Sequence, residues 1–172
     1  MIRAALLTAV ILLSVAAGCV GCSFADPAPV RERPWWMSGM ANPAFLVTTW
    51  GVIYTPPGRL DEFTARADRP LAPTAAALLE HEQTHARRQH AHGLGMVGHG
   101  VEYLCSAAFR WEEERAGYAV QFRALAARGI GIYPPAWVVL LMDPSYREMV
   151  DEPTARAWVE AEARAVWEER GG

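Results

Sequence analysis

The chain has 172 residues, 52% hydrophobic and 20% charged, which suits one domain with a real core and excludes a disordered chain. Its net charge of −3 and scattered arginines argue against a nucleic-acid partner, which usually calls for a basic stripe. The three cysteines, Cys19, Cys22 and Cys105, do not recur at zinc-ribbon or finger spacing, and Cys19–Cys22 lacks the strand–helix context of a redox pair.

Met1-Ile2-Arg3 leads into an apolar run of roughly 14 residues with a small-residue exit, the pattern of an export signal and too short for a membrane span. Its end, Ala16-Ala17-Gly18-Cys19, resembles a bacterial lipobox, which implies that Cys19 carries lipid and begins the mature chain. Cys22 is a poorer second candidate. An uncleaved anchor through Val20 and a plain signal cut near Ala17-Gly18 are the alternatives, and all three readings put the domain outside the cytoplasm. Residues 1–18 are therefore read as signal and 19–34 as anchor and proline-rich tether, with 35–172 as the folded domain. Cys22 and Cys105 could pair in an oxidising compartment, but Cys105 reads better as a small buried apolar residue.

Phe45 to Tyr54 is rich in β-branched and aromatic residues and stops at Pro56-Pro57. It predicts one strand bent at Gly51, or two short ones. Pro70 to Thr74 signals helix entry, with Thr74 as the expected cap, and apolar and histidine positions then recur at helical spacing until Gly93. Residues 90–100 are glycine-rich and read as a flexible loop. Val101 to Arg128 predicts one long helix closed by Gly129. Ala136 to Met142 is a short apolar helix or strand. Asp151-Glu152-Pro153 opens a last helix with Ala155, Trp158, Val159, Ala163 and Val166 as its packing stripe. The sum is a predominantly helical α+β domain with a small N-terminal β element.

The helix from Thr74 carries His81-Glu82-Gln83-Thr84-His85. Histidines four apart lie one turn apart on one helix face, so their nitrogens can converge on one metal ion, and the intervening glutamate can reach a metal-bound water. This is the H-E-x-x-H pattern of zinc metallopeptidases. Catalytic zinc takes three protein ligands and leaves a position for water, so the chain must supply a third. His90, His92 and His99 are candidates. Metzincin spacing is absent, because Ala91 stands where that pattern needs histidine and Arg88 where it needs glycine. The acidic cluster Glu112-Glu113-Glu114 offers another source, since a carboxylate buried unpaired on an apolar helix costs several kcal/mol and calls for a partner or a metal.

These features together resemble the gluzincins, metallopeptidases with H-E-x-x-H on one helix and a glutamate ligand on the next. Glu113-Glu114-Arg115-Ala116 matches the E-x-x-A part of a motif found in that clan. The resemblance implies a minimal zincin-like domain with two ligand-bearing helices, holding Zn²⁺ by His81, His85 and Glu113, with Glu112 or Glu114 in Glu113's place if the register is off. Gly117 replaces the aspartate that supports a histidine in that clan. The resemblance further implies Glu82 as general base in the hydrolysis of a peptide or protein substrate, on a chain bound to the membrane through its N-terminus. The alternative is a catalytically inactive binding or scaffold lipoprotein that keeps the fold. Tyr103, Tyr118, Tyr133 and Tyr146 can each stabilise an oxyanion, but no spacing rule selects one and they read as packing. Most of the seven tryptophans read as core, with Trp35-Trp36 beside the tether.

Overall fold

A computed structural model describes residues 25–37, 45–66, 68–146 and 148–171. The expected export signal, residues 1–18, and the expected lipidation position Cys19 lie outside the described residues.

Three short strands form a mixed sheet: β1 (Val30–Glu32), β2 (Val47–Thr49) and β3 (Val52–Thr55), in the order β1-β3-β2. β2 and β3 pair antiparallel with Thr49 opposite Val52, so Trp50 and Gly51 alone make the turn. Both have positive φ, 54° and 68°, as a two-residue primed hairpin turn requires. The stretch from Phe45 is thus two short strands. β1 pairs parallel with β3, with Val30 beside Ile53. Within the expected anchor and tether of 19–34, the described residues from 25 onward pack on the domain: Ala28 is buried, and its backbone N–H and C=O bond the Gln83 carboxamide at 2.6 and 3.0 Å. The period-2 signal of a strand cannot emerge from three residues, so proline content dominated the reading.

Five α-helices follow among the described residues: α1 (Pro73–Ala91), α2 (Gly95–Cys105), α3 (Ala107–Ala127), α4 (Pro134–Leu141) and α5 (Glu152–Glu169). The predominantly helical α+β class is as the sequence indicates. Boundaries differ in instructive ways. α1 starts at Pro73 after Ala72, and Thr74 makes no cap. The glycine-rich 90–100 segment is no loop: α1 runs to Ala91 and α2 begins at Gly95, whose φ of +66° turns the chain where Gly93 was expected to. The long run from Val101 is broken at Ser106, which is extended and caps α3 by accepting from Phe109 N at 3.1 Å. A serine satisfies an orphan N–H at a helix start, so it divides two helices where no glycine or proline marks the break. At α5, Asp151 caps Thr154 N at 2.9 Å with Pro153 in the first turn, as the sequence suggests.

Two larger apolar clusters, and a small one of Ala77 with Ala124 and Leu125 between α1 and α3, hold these parts. Ile53, Leu46, Phe63, Ala75 and Ala86 join the sheet to α1. Trp111, Tyr118, Phe122, Val138, Leu141, Val159 and Val166 join α3 to α4 and α5. Between the clusters α1 and α3 pack against each other in the most extensive helix contact of the molecule. Their shared face is largely polar, and it contains the candidate site.

Candidate metal centre

Buried on that face are His81, Glu82 and His85 from α1, and Glu113, Glu114 and Gln121 from α3. Helical spacing explains the set. Positions 81 and 85 share a face of α1, and 114, 117, 118 and 121 fall one or two turns apart on α3.

The donor atoms converge. His81 Nε2 lies 2.9 Å from His85 Nε2. Glu114 Oε2 is 3.6 Å from His81 Nε2, and its Oε1 is 3.7 Å from His85 Nε2. A tetrahedral zinc with bonds of about 2.0–2.1 Å separates its ligand atoms by roughly 3.3 Å. The two Glu114 distances end on different oxygens, but one ligand atom from each of the three residues lies within 4.8 Å of the others, close enough for one ion to draw them together. The third corner differs from the expected Glu113: the described residues group His81, His85 and Glu114 as a candidate metal cluster.

Glu113 faces outward from that triangle. Its Oε1 accepts from Arg88 Nε at 2.8 Å, and its Oε2 lies 3.0 Å from His99 Nε2 and 3.7 Å from His85 Nδ1. A carboxylate behind the distal nitrogen of a ligating imidazole fixes the ring and raises its basicity. His81 is served likewise by Gln121, whose Oε1 is 3.0 Å from His81 Nδ1. An N–H donated there leaves Nε2 with its lone pair toward the centre. Gly117 completes the arrangement, since a Cβ built on it meets His81 Nε2 at 2.7 Å and two ring carbons at 2.8 Å. At Gly117 the chain has room for the imidazole, and the supporting hydrogen bond comes from Gln121, one turn further along.

Glu82 is held from the sheet. Thr48 of the edge strand β2 donates its hydroxyl to Glu82 Oε2 at 2.5 Å, and Gln89 Nε2 donates to the Thr48 carbonyl at 2.9 Å. Tyr103 of α2 donates to Glu114 Oε1 at 2.7 Å, Tyr118 lies edge-on to His81, and the Tyr118 and Tyr146 hydroxyls are 2.5 Å apart. Three of the four tyrosines therefore belong to the site, while Tyr133 is exposed. His99, expected in a loop, is buried on α2. His92 interacts with Glu102, so neither it nor His99 joins the triangle. Cys105 is exposed with its thiol free, against the expectation of a buried residue.

The electrostatics follow from three buried carboxylates. Burial opposes the charged form of His85, but Glu114, Glu113 and Glu82 outweigh it and raise its pKa to about 9. Burial would push Glu113 up, yet His85, His99 and Arg88 hold it well below the usual carboxylate range. Glu114 is likewise lowered, since His85, His81 and Tyr103 overcome its burial. Burial and then the Glu114 charge keep Tyr103 and Tyr118 protonated and able to donate. The metal-free site is thus anionic enough to retain a proton on an imidazole, and a divalent cation satisfies the same deficit.

Thr48 and Gln121 went unrecognised in the sequence, whereas Tyr103 and His99 were weighed there and read as packing and loop. A signal existed for Gln121, which lies two turns after Glu114 on the same face of α3. None existed for Thr48, which reaches the site only through the sheet.

Comparison with protein-family models, curated proteins and solved structures finds no match.

Proposed function

We propose that this chain is an exported, membrane-tethered zinc-dependent hydrolase of gluzincin type that cleaves peptide bonds. The carrying observation is the triangle of His81 Nε2, His85 Nε2 and Glu114, with Glu82 fixed beside it by Thr48. Zinc bound by His81, His85 and Glu114 supplies Lewis acidity toward a carbonyl and acidifies water. Glu82 then serves as the base that takes the proton of the attacking water and returns it to the leaving amine. Thr48 keeps that carboxylate oriented. Tyr103 and Gln121 hold Glu114 and His81 in place, and protonated tyrosines beside the site can donate to the developing oxyanion. The peptide-bond preference and the membrane tether rest on the sequence resemblances.

One observation favours a second reading, a metal-holding scaffold without turnover: His81, Glu82, His85 and Glu114 are each at most 7% exposed. Metal analysis and peptide hydrolysis by the full-length protein in detergent separate the readings. The hydrolase predicts about one zinc per chain, lost in His81→Ala and Glu114→Ala. In Glu82→Gln, zinc stays and hydrolysis falls by about 10²-fold or more. Zinc without hydrolysis, indifferent to Glu82→Gln, is the scaffold. A folded protein that takes no zinc after reconstitution defeats both.

A further inference from the structure

α2 is amphipathic in the inverse sense. Its buried His99 and its Tyr103 turn inward to Glu113 and Glu114. The opposite side presents Leu94 at its N-cap, 74% exposed, Val101 at 44% and Leu104 at 37%, beside the exposed Cys105. From 93 to 109 the only acidic or basic residue apart from histidine is Glu102. A helix on a water-facing surface ordinarily carries its charges outward, so this face needs a cover. The hairpin tip stands beside the start of this helix: Trp50 is 39% exposed, and a Cβ on the adjoining Gly51 would lie 4.0 Å from Met96 Sδ of α2.

The course of the chain points to what covers it. β1 runs parallel to β3, with Ile53 N bonded to Pro29 O at 2.9 Å. Traced backward from Val30, the chain therefore leaves the sheet at the end where Trp50 and Gly51 turn. Asp26 is tied there to Arg87 near the C-terminal end of α1 at 3.1 Å, and α2 begins just beyond that end. Six residues lie between Gly18, the last of the apolar run, and Ala25, and the seven steps from one to the other span at most about 25 Å. α2 has 11 residues, about 16 Å, so it cannot cross a bilayer but can lie in its surface.

We infer that the outer face of α2, with Trp50, docks on the lipid bilayer that holds the N-terminal apolar run, and so sets the candidate metal centre against the membrane surface. The inference rests on the tether part of the proposed function and is independent of the metal and of hydrolysis.

The test uses the full chain reconstituted in phosphatidylethanolamine–phosphatidylglycerol vesicles containing a photoactivatable phospholipid, with cross-linked residues mapped by mass spectrometry. The expected map shows lipid on the apolar run and on Trp50, Leu94, Val101 and Leu104, with none on Tyr133, Val139 and Trp167, which are more exposed than all of these but Leu94. In the triple variant Leu94→Glu, Val101→Glu, Leu104→Glu, labelling of Trp50 is lost while that of residues 4–18 persists. Labelling confined to residues 4–18 overturns the docking face and leaves the tether standing. A chain that does not associate with vesicles overturns both. A dimer in the vesicles that the same triple variant abolishes assigns the face to a second copy and also overturns the inference. The wild-type map decides the matter if the triple variant does not fold.

Discussion

Replacing Gly117 with alanine tests the packing of His81 against α3. In an ordinary helix interior the change stabilises by about 1 kcal/mol, because alanine loses less backbone entropy on folding. Here the added Cβ would stand 2.7 Å from His81 Nε2 and 2.8 Å from two ring carbons, whereas optimal contact is about 3.5 Å or more. The imidazole must retreat by roughly 0.8 Å, or the helices must separate, and overpacking of that kind costs about 1–3 kcal/mol. Retreat also strains the bond to Gln121 and moves Nε2 relative to Glu114. We expect a net loss of up to about 2 kcal/mol in urea unfolding of the metal-free protein. Zinc affinity should fall by about 10-fold or more, as when an outer support of a metal ligand is lost. Gly100→Ala is the internal control, since that helical position has nothing within 4 Å of the built Cβ, and it should be neutral or stabilising. A Gly117→Ala protein as stable as the control variant, with unchanged zinc affinity, would refute the packing of His81 on α3.

Glu113→Gln and Gln121→Ala should each weaken zinc by about 10–100-fold without abolishing it, whereas Glu114→Ala removes it. Competition titration against a chelator orders the three variants, and a Glu113 variant that loses zinc entirely would return the third ligand to that residue. Because the His85 pKa is raised from 6.5 to about 9, its contribution to the metal-free fold is complete below about pH 6.5 and fades as pH rises through about 9. Chelated protein should be less stable at about pH 10 than at about pH 6, by up to the order of 3 kcal/mol. Urea curves that shift the other way would contradict the anionic surroundings of His85. Asp151→Ala removes the α5 cap, far from the metal centre along the chain, and should cost about 1 kcal/mol. Calorimetric zinc titration should find the site unchanged, and weakened zinc binding would show that α5 supports the centre.

The sequence by itself determined what depends on local spacing. The four-residue interval of His81 and His85, the glutamate between them, the strand-forming stretch after Phe45 and the Asp151–Pro153 helix start are all chain-local, and each appears as its residues dictate. That a carboxylate of the later helix meets the two histidines was also legible, because carboxylates on a buried helix require a partner. Which carboxylate lies nearest both was not. Adjacent helical positions point about 100° apart, so choosing Glu114 over Glu113 takes the rotation of α3 about its axis. Packing sets that rotation: Trp111, Tyr118 and Phe122 bury themselves against α4 and α5 and so turn Glu114 inward, leaving Glu113 to Arg88 and His99. Tertiary structure likewise gave Gly117 its meaning, by bringing an imidazole from 36 residues earlier into the space a side chain would fill. It also recruited Thr48 across the sheet to hold Glu82. Side-chain identity and interval fix which groups a segment can offer, but only the docking of one helix on another decides which of them meet.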